Sequence, residues 1–269
     1  MVIGIIGFGV VGKAVKFGFE KKEGNTVHVY DIKLQDTSLE KVVHQTDIIF
    51  VCVSTPRQAD GFCDVSNIHD VCKKINALAR KAKKKKDVVI KSTIDPQCIK
   101  DLGKRYKYIR LAMNPEFLKE QAAIHDVCHQ DICVIGTDHD ELYEKIVRAH
   151  GDLAQEYIKT TPVNAMLVKY FCNTFNATQV IFANLFYDLA TALGADYREV
   201  RKIALKRYTD MKTHYLDCNS NLRGFGGACL PKDTDAIIAL CKLLNIEYDI
   251  LHAIVHDNKR LHTKHPNSI

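Results

Sequence analysis

The sequence predicts an α/β protein, a doubly wound and mostly parallel sheet followed by an all-helical unit with one long spine helix. Three observations carry this. Short apolar runs alternate with helical patterns over residues 1–161. The first apolar run opens onto a glycine-rich turn. The alternation then stops at Thr161-Pro162, where an unusually long helical pattern begins. The expected domains are therefore 1–161 and 162–269.

Residues 2–6 are apolar and end in Gly7-Phe8-Gly9-Val10-Val11-Gly12, which leads into a helical pattern to residue 20. A second apolar run, 27–30, ends in Asp31. Strand, glycine turn, helix, strand and acid in this order are the Rossmann-type βαβ unit that binds a dinucleotide. Gly7 allows the tight turn, Gly9 lets the pyrophosphate approach, and Gly12 lets helix and strand pack closely. The helix-end amides of Val10 and Val11 meet the phosphates. Asp31 accepts hydrogen bonds from ribose hydroxyls and repels a 2′-phosphate, which favours NAD over NADP. Lys33 slightly blurs that preference.

Further apolar runs lie at 47–53, 88–90, 109–113 and 132–135, with the clearest helical patterns between them at 67–81 and 141–150. Ligands gather at the carboxyl ends of parallel strands. Those ends carry Ser54-Thr55-Pro56, Ser92-Thr93 and Asn114-Pro115-Glu116. Each cluster alone is an ordinary turn; three at successive strand ends predict a site.

The long helix is expected over 163–193, with Leu167, Phe171, Phe175, Val180, Leu185 and Leu189 as core or partner positions, and so as a homodimer surface. A shorter helix follows to residue 206, then a polar loop over 208–223, then helices near 232–244 and 248–261. The loop leads into Gly224-Phe225-Gly226-Gly227-Ala228-Cys229-Leu230-Pro231-Lys232-Asp233. A helix starting near Pro231 aims its positive end at Cys229 and favours a nucleophilic thiolate. Asp233, four residues on, is placed to act as a base or to orient a water. The plainer alternative is a tight loop, a capped helix and a half-buried thiol.

Composition bounds the rest. The 269 residues are 46% hydrophobic and 26% charged, ordinary for a globular protein. No apolar run approaches the roughly 20 residues of a membrane span. Neither a basic leader region nor a cleavage site precedes the first strand. The ten cysteines lack CxxC or zinc-type spacing, so they read as reduced thiols in a cytoplasmic protein, with no metal site. Much of the +6 net charge comes from Arg80, Lys81 and Lys83 to Lys86, read as a solvated helix end. Nucleic-acid binding would need further basic stripes interleaved with aromatics, and these are missing.

Taken together, these segments resemble the UDP-glucose/GDP-mannose 6-dehydrogenase family from Met1 to about Arg260, in order and without large gaps. The most specific parts are 224–233 and Asn114-Pro115-Glu116-Phe117-Leu118. Lys91-Ser92-Thr93, Asp60-Gly61, and Lys169 with Asn173 add to them. The resemblance implies oxidation of a sugar C6 alcohol to a carboxylate in two hydride transfers to NAD, with UDP-glucose the commonest substrate. It implies that Cys229 attacks the intermediate aldehyde, giving a thiohemiacetal and then a thioester. Lys169 and Asn173, on one helix face, would steady the developing alkoxide. Asp233 and Thr93 would manage water or protons, and Glu116 would serve thioester hydrolysis. Phe117, Leu118, Tyr215 and Gly226 would contact the nucleotide sugar, while Thr55, Pro56, Ser92, Thr93 and Glu120 would join the NAD site. Without the other motifs, Lys169 and Asn173 read as exposed helix residues and Glu116 as a structural strand-end residue that caps a following helix.

The chain departs from the family at Gln121, where a glycine is usual, and at Met166, where a glutamate is usual. Asp210-Met211-Lys212-Thr213 replaces an Arg-Ile/Met-Gly piece. The family's third domain, which closes over the nucleotide of the sugar, has no counterpart before Ile269. Two alternatives therefore stand beside the 6-dehydrogenase: a two-electron hydroxyacid dehydrogenase, and an NAD-binding dimerisation module without catalysis.

Overall fold

The computed structural model describes residues 1–207 and 213–264. The chain divides into two compact units, Met1–Pro56 with Cys63–Lys169, and Arg57–Phe62 with Tyr170–Ile269.

The first unit holds one seven-stranded sheet: β1 (Val2–Ile6), β2 (Thr26–Tyr30), β3 (Ile48–Val51), β4 (Lys86–Ile90), β5 (Ile109–Met113), β6 (Gln130–Gly136) and β7 (Ala154–Thr160). Their order is β2-β1-β3-β4-β5-β6-β7. Every neighbouring pair is parallel except β5 with β6. Buried parallel strands are apolar on both faces, and residues 48–51 accordingly show no exposure at all. The helices are α1 (Val10–Lys21), α2 (Leu39–Gln45), α3 (Ser66–Lys81), α4 (Pro96–Arg105), α5 (Ala123–Cys128) and α6 (Asp140–His150). Ile6, Ile49 and Val51 pack with α2, α3 and α4 in one core cluster. Ile3, Ile5 and Phe50 pack with α1, α5 and α6 in another. The sheet is thus wound on both faces, as the alternation predicts. Its direction of winding reverses between β1 and β3, the place where such sheets leave a crevice for ligand.

Three features escape the periodicity. Strand β7 lies at the sheet edge with exposed Gln155 and Glu156, and it is specified by its register on β6 rather than by an apolar run. Helices α2 and α4 are short and are set by their caps, Ser38 accepting from Lys41 N and Asp95 accepting from Gln97 N. The basic run begins as the expected helix end, with Arg80 and Lys81 in the last turn of α3, and then continues as a helix-to-strand turn: Lys83 adopts φ 52°, and Lys86 already belongs to β4. Burial brings the Lys86 ammonium down to about 8.

The described part of the second unit is helical. Helix α7 (Pro162–Ala192) supplies its residues from Tyr170 onward, followed by α8 (Tyr197–Arg207), α9 (Leu230–Leu243) and α10 (Ile250–Lys264). Small residues of α7 face inward, with Ala183 and Ala190 clustering with Tyr197, Leu216 and Cys218, and Ala177 with Phe225 and Ile254. The large ones face outward: Leu167, Phe171, Phe175, Leu185 and Leu189 are exposed, Phe171 to 71%, and Val180 is half-buried. Of the two roles expected for that set, core or partner surface, five of the six positions are therefore not core. The segment Arg57–Phe62 joins this unit through an Arg57–Asp235 ion pair of 2.9 Å. Asp210, Met211 and Lys212 lie outside the described residues. Among the described residues no helix is long and apolar enough to cross a membrane.

Candidate active site

The first glycine turn is shaped by what its glycines touch. Gly7 sits at φ 93°, and a Cβ there would come within 2.7 Å of the Cys52 backbone. A Cβ on Gly12 would lie 2.0 Å from the Gly7 carbonyl oxygen, so only glycine lets α1 start this close to β1. Gly9 differs: nothing lies within 4 Å of where its Cβ would be. It caps α1 without any side-chain bond, so no capping side chain takes the amides that open the helix at Val10 and Val11. Asp31, ending β2, accepts from Phe8 N at 2.6 Å and from Lys33 N at 2.8 Å. The Phe8 bond, helped by Lys33, holds its carboxyl below the usual range. Its position ties the acid to the turn it is expected to serve.

The ends of β3, β4 and β5 continue this edge of the first unit. Thr55 Oγ1 donates to the Thr93 carbonyl at 2.8 Å, and Ser92 Oγ to the Val53 carbonyl at 2.6 Å. The Pro56 carbonyl accepts from Asp64 N. Glu116 turns back on its own loop, with Oε2 accepting from Leu118 N at 2.7 Å. Lys169 Nζ donates to the Glu116 carbonyl at 2.6 Å, stands 3.5 Å from Glu116 Oε1, and lies over the Phe117 ring at 5.4 Å. Lys169 is 3% exposed, so it is a buried ammonium against a carboxylate and not a surface lysine. The structure thus brings Glu116, Phe117, Leu118 and Lys169 together. Glu120 and Gln121 are exposed on the short turn of 3₁₀ helix at Glu120–Ala122. Met166, at the family's glutamate position, is fully buried in an apolar cluster.

In the second unit, Cys229 is the N-cap of α9 and exposed. Cys52 and Cys72 are the contrast, each pushed up to about 12 by burial. Asp233, 1% exposed, donates its N–H to the Cys229 carbonyl at 2.9 Å. Its carboxylate accepts from Asn173 Nδ2 at 2.5 Å and from Lys232 Nζ at 2.7 Å. Asn173 is buried too, so the reading of it as an exposed helix residue does not survive. Tyr215 is half-buried on the short helix Thr213–Leu216, and Gly226 is half-buried within the loop.

Among the buried polar residues with no chemical part in the sequence reading are Lys91, there only a member of a motif, and Asn258. Lys91 donates to Asn114 Oδ1 at 2.8 Å and to the Asn114 carbonyl at 3.2 Å, and burial lowers its pKa. Asn258 bonds both the N–H and the carbonyl of Phe225. Asn258 has no sequence signal, because a polar residue in a helical pattern normally faces water.

A glycine turn left open at Gly9, an acid fixed at the next strand end and an exposed thiol at a helix cap define a class: a dinucleotide-binding α/β domain followed by a helical domain that bears a cysteine. The chain belongs to the UDP-glucose/GDP-mannose dehydrogenase family, with residues 29–153 matching its NAD binding domain and residues 163–260 its central domain. It is 30% identical to GDP-mannose 6-dehydrogenase of Pseudomonas aeruginosa, over 82% of this chain and 53% of that protein. It is 31% identical to UDP-glucose 6-dehydrogenase YwqF of Bacillus subtilis, over 83% of this chain and 51% of that protein. Among solved structures, a UDP-glucose dehydrogenase of the archaeon Pyrobaculum islandicum superposes with a TM-score of 0.87 at 26% identity, covering 96% of this chain and 68% of that one. The chain spans about half the length of the curated relatives it matches. NAD is the cofactor of this domain, and the open cradle at Gly9 with Asp31 beside it fits the pyrophosphate and ribose.

Proposed function

We propose that the protein oxidises the C6 alcohol of a nucleotide sugar to a carboxylate, with UDP-glucose the first substrate to test and Cys229 the nucleophile. The observation that carries this is the exposed Cys229 at the cap of α9, one turn before a buried Asp233 that is held by Asn173 and Lys232. NAD, when bound, supplies the hydride acceptor. Asp31 with the turn Gly7–Gly12, including Val10 and Val11, holds the dinucleotide, and Lys33, Thr55, Pro56, Ser92, Thr93 and Glu120 complete its surroundings.

In the first stage the C6 alcohol loses a hydride from carbon and its hydroxyl proton to water, giving the aldehyde, while Lys169 and Asn173 donate hydrogen bonds to the oxygen on which negative charge develops. An ammonium has three N–H donors, of which the Glu116 carbonyl takes one. In the second stage the Cys229 thiolate adds to the aldehyde carbon, forming a C–S bond, and the former carbonyl oxygen takes a proton. Loss of the second hydride from that carbon, and of the hydroxyl proton to water, leaves a thioester. Water, steered by Asp233, Glu116 and Thr93, breaks the C–S bond and returns the thiol. Phe117, Leu118, Tyr215 and Gly226 contact the nucleotide sugar. Each sugar yields two NADH.

Residues 1–161 form the NAD domain in this reading, and residues 162–269 the catalytic and dimerisation domain. The outward face of α7 supports a homodimer, since large apolar side chains left in water favour a partner. A cytoplasmic location goes with the reading of the ten cysteines as reduced thiols without CxxC spacing. The test is to incubate the protein with NAD and a set of nucleotide sugars and to count NADH per sugar consumed. Two supports the proposal; one, with a hydroxyacid as substrate, or none with NAD binding intact, overturns it.

A further inference from the structure

The loop that carries Cys229 is gripped from two helices of its own unit. From α10, Asn258 Oδ1 accepts from Phe225 N at 2.7 Å while Asn258 Nδ2 donates to the Phe225 carbonyl at 2.9 Å. One side-chain amide thus reads both backbone groups of one residue, as a neighbouring strand would. His262 Nε2, one turn further along α10, meets the same carbonyl at 3.0 Å and must donate there, because a carbonyl only accepts. From α7, Asn184 Oδ1 accepts from Gly224 N at 3.2 Å and from Arg223 Nε at 2.7 Å. Asn258 is 8% exposed and Asn184 2%. Gly224 stands at φ 71°, and a Cβ there would lie 2.6 Å from Asn258 Oδ1, so the absent side chain makes room for the clamp.

We infer that Asn258 is a positioning residue for the Cys229 thiol: by fixing the peptide at Phe225 it sets the path of the glycine segment, and so where and how the sulfur is presented. The glycines at 224, 226 and 227 leave this segment with little conformational preference of its own. A loop of that kind holds one geometry only if something outside it does the holding. Buried amides suit the task, since a buried donor or acceptor left without its partner costs more than the bond itself contributes. Loosening the clamp therefore changes thiol chemistry while leaving the dinucleotide site of the first unit as it was. The inference rests on the reading of Cys229 as nucleophile only for its effect on turnover; its effect on the thiol is independent of that reading.

The test measures alkylation of Cys229 by iodoacetamide across pH, peptide by peptide, in the full chain. Cys241, further along α9, is the internal reference, because general loosening of the helix raises both rates together. The Asn258→Asp variant keeps an acceptor for Phe225 N but sets a carboxylate against the Phe225 carbonyl. The expected result is a change of about tenfold or more in the Cys229-to-Cys241 rate ratio, the size set by one broken buried hydrogen bond, with an unchanged Kd for NAD. His262→Leu removes the second donor to the same carbonyl and is expected to shift the ratio in the same direction by less; it serves if Asn258→Asp does not fold. An unchanged ratio in a folded variant overturns the inference, whatever happens to NADH formation. A shifted ratio with undiminished NADH formation upholds it and removes the thiol from the proposed reaction.

Discussion

The two glycine turns of this protein, Gly7–Gly12 and Gly224–Cys229, both open a helix, yet they are held by different means. The first is held largely by backbone. Gly7 N donates to the Tyr30 carbonyl, and Gly12 backs onto the Gly7 carbonyl. A side chain also holds it, that of Asp31, the acid proposed to bind the ribose. The second is held by side chains outside the proposed chemistry: Asn184, Asn258 and His262. A turn that must present amides to a phosphate needs little more than close packing and empty space. A turn that must present one reactive atom in one direction needs outside restraint, because three glycines supply none. The hold on the Cys229 loop therefore comes from α7 and α10.

Four changes test how separate the turns are. The largest effect is expected from Cys229→Ser, which leaves NAD affinity unchanged but lowers formation of the carboxylate by about 10³-fold or more, as loss of a covalent nucleophile does. Single-turnover analysis should find the reaction halted after the first oxidation or an intermediate retained; normal turnover would take the thiol out of the mechanism. Gly12→Val should damage the first turn and its unit together. Its Cβ meets a carbonyl oxygen at 2.0 Å, so thermal unfolding should show a loss of about 3 kcal/mol and titration calorimetry no NAD binding. A variant of native stability would contradict the packing described for α1.

Acid should act on the first unit through His150. Burial among Phe19, Phe50 and Tyr157 takes its pKa from 6.5 down to about 3. The unfolded chain binds this proton below pH 6.5 and the folded chain does not, so the stabilisation is whole above that pH and is lost as pH falls toward 3. At pH 5 the loss amounts to about 2 kcal/mol. His150→Phe should flatten the decline between pH 7 and 5 in denaturant melts, and an equally steep decline would assign it to other groups. The smallest effect is expected at Gly9. Its φ of −76° suits any residue and its surroundings are open, so Gly9→Ala should leave the melting temperature unchanged and weaken NAD by about tenfold. A lowered melting temperature would mean that Gly9 is structural like Gly12, and the distinction between glycines within the first turn would fall.

Most of the scaffold is legible in the chain itself. Runs such as 48–51 and 88–90 form strands because buried parallel strands must be apolar on both faces, and the turn at Gly7 forms because no other residue fits. Cys229 and Asp233 also stand out by type and spacing, whereas Lys169 and Glu116 stand out only through the family resemblance. Strand β7 does not, since an edge strand facing water can be polar. Nor does the α7 face, because its period is the same whether Phe171 and Phe175 turn inward or outward; that Ala177 and Ala183 take the core was settled by which residues allow close packing.

By itself, then, the sequence determined the elements whose cause is local: strands from burial pattern, turns from glycine, a helix cap from Cys229-Leu230-Pro231. Tertiary structure decided what depends on partners distant in the chain. It turned Lys169 and Asn173 from apparent surface residues into buried donors against Glu116 and Asp233, and it set Asn258 against Phe225. A hydrogen bond between groups tens of residues apart leaves no period and no spacing to read, because its geometry exists only once the helices have packed.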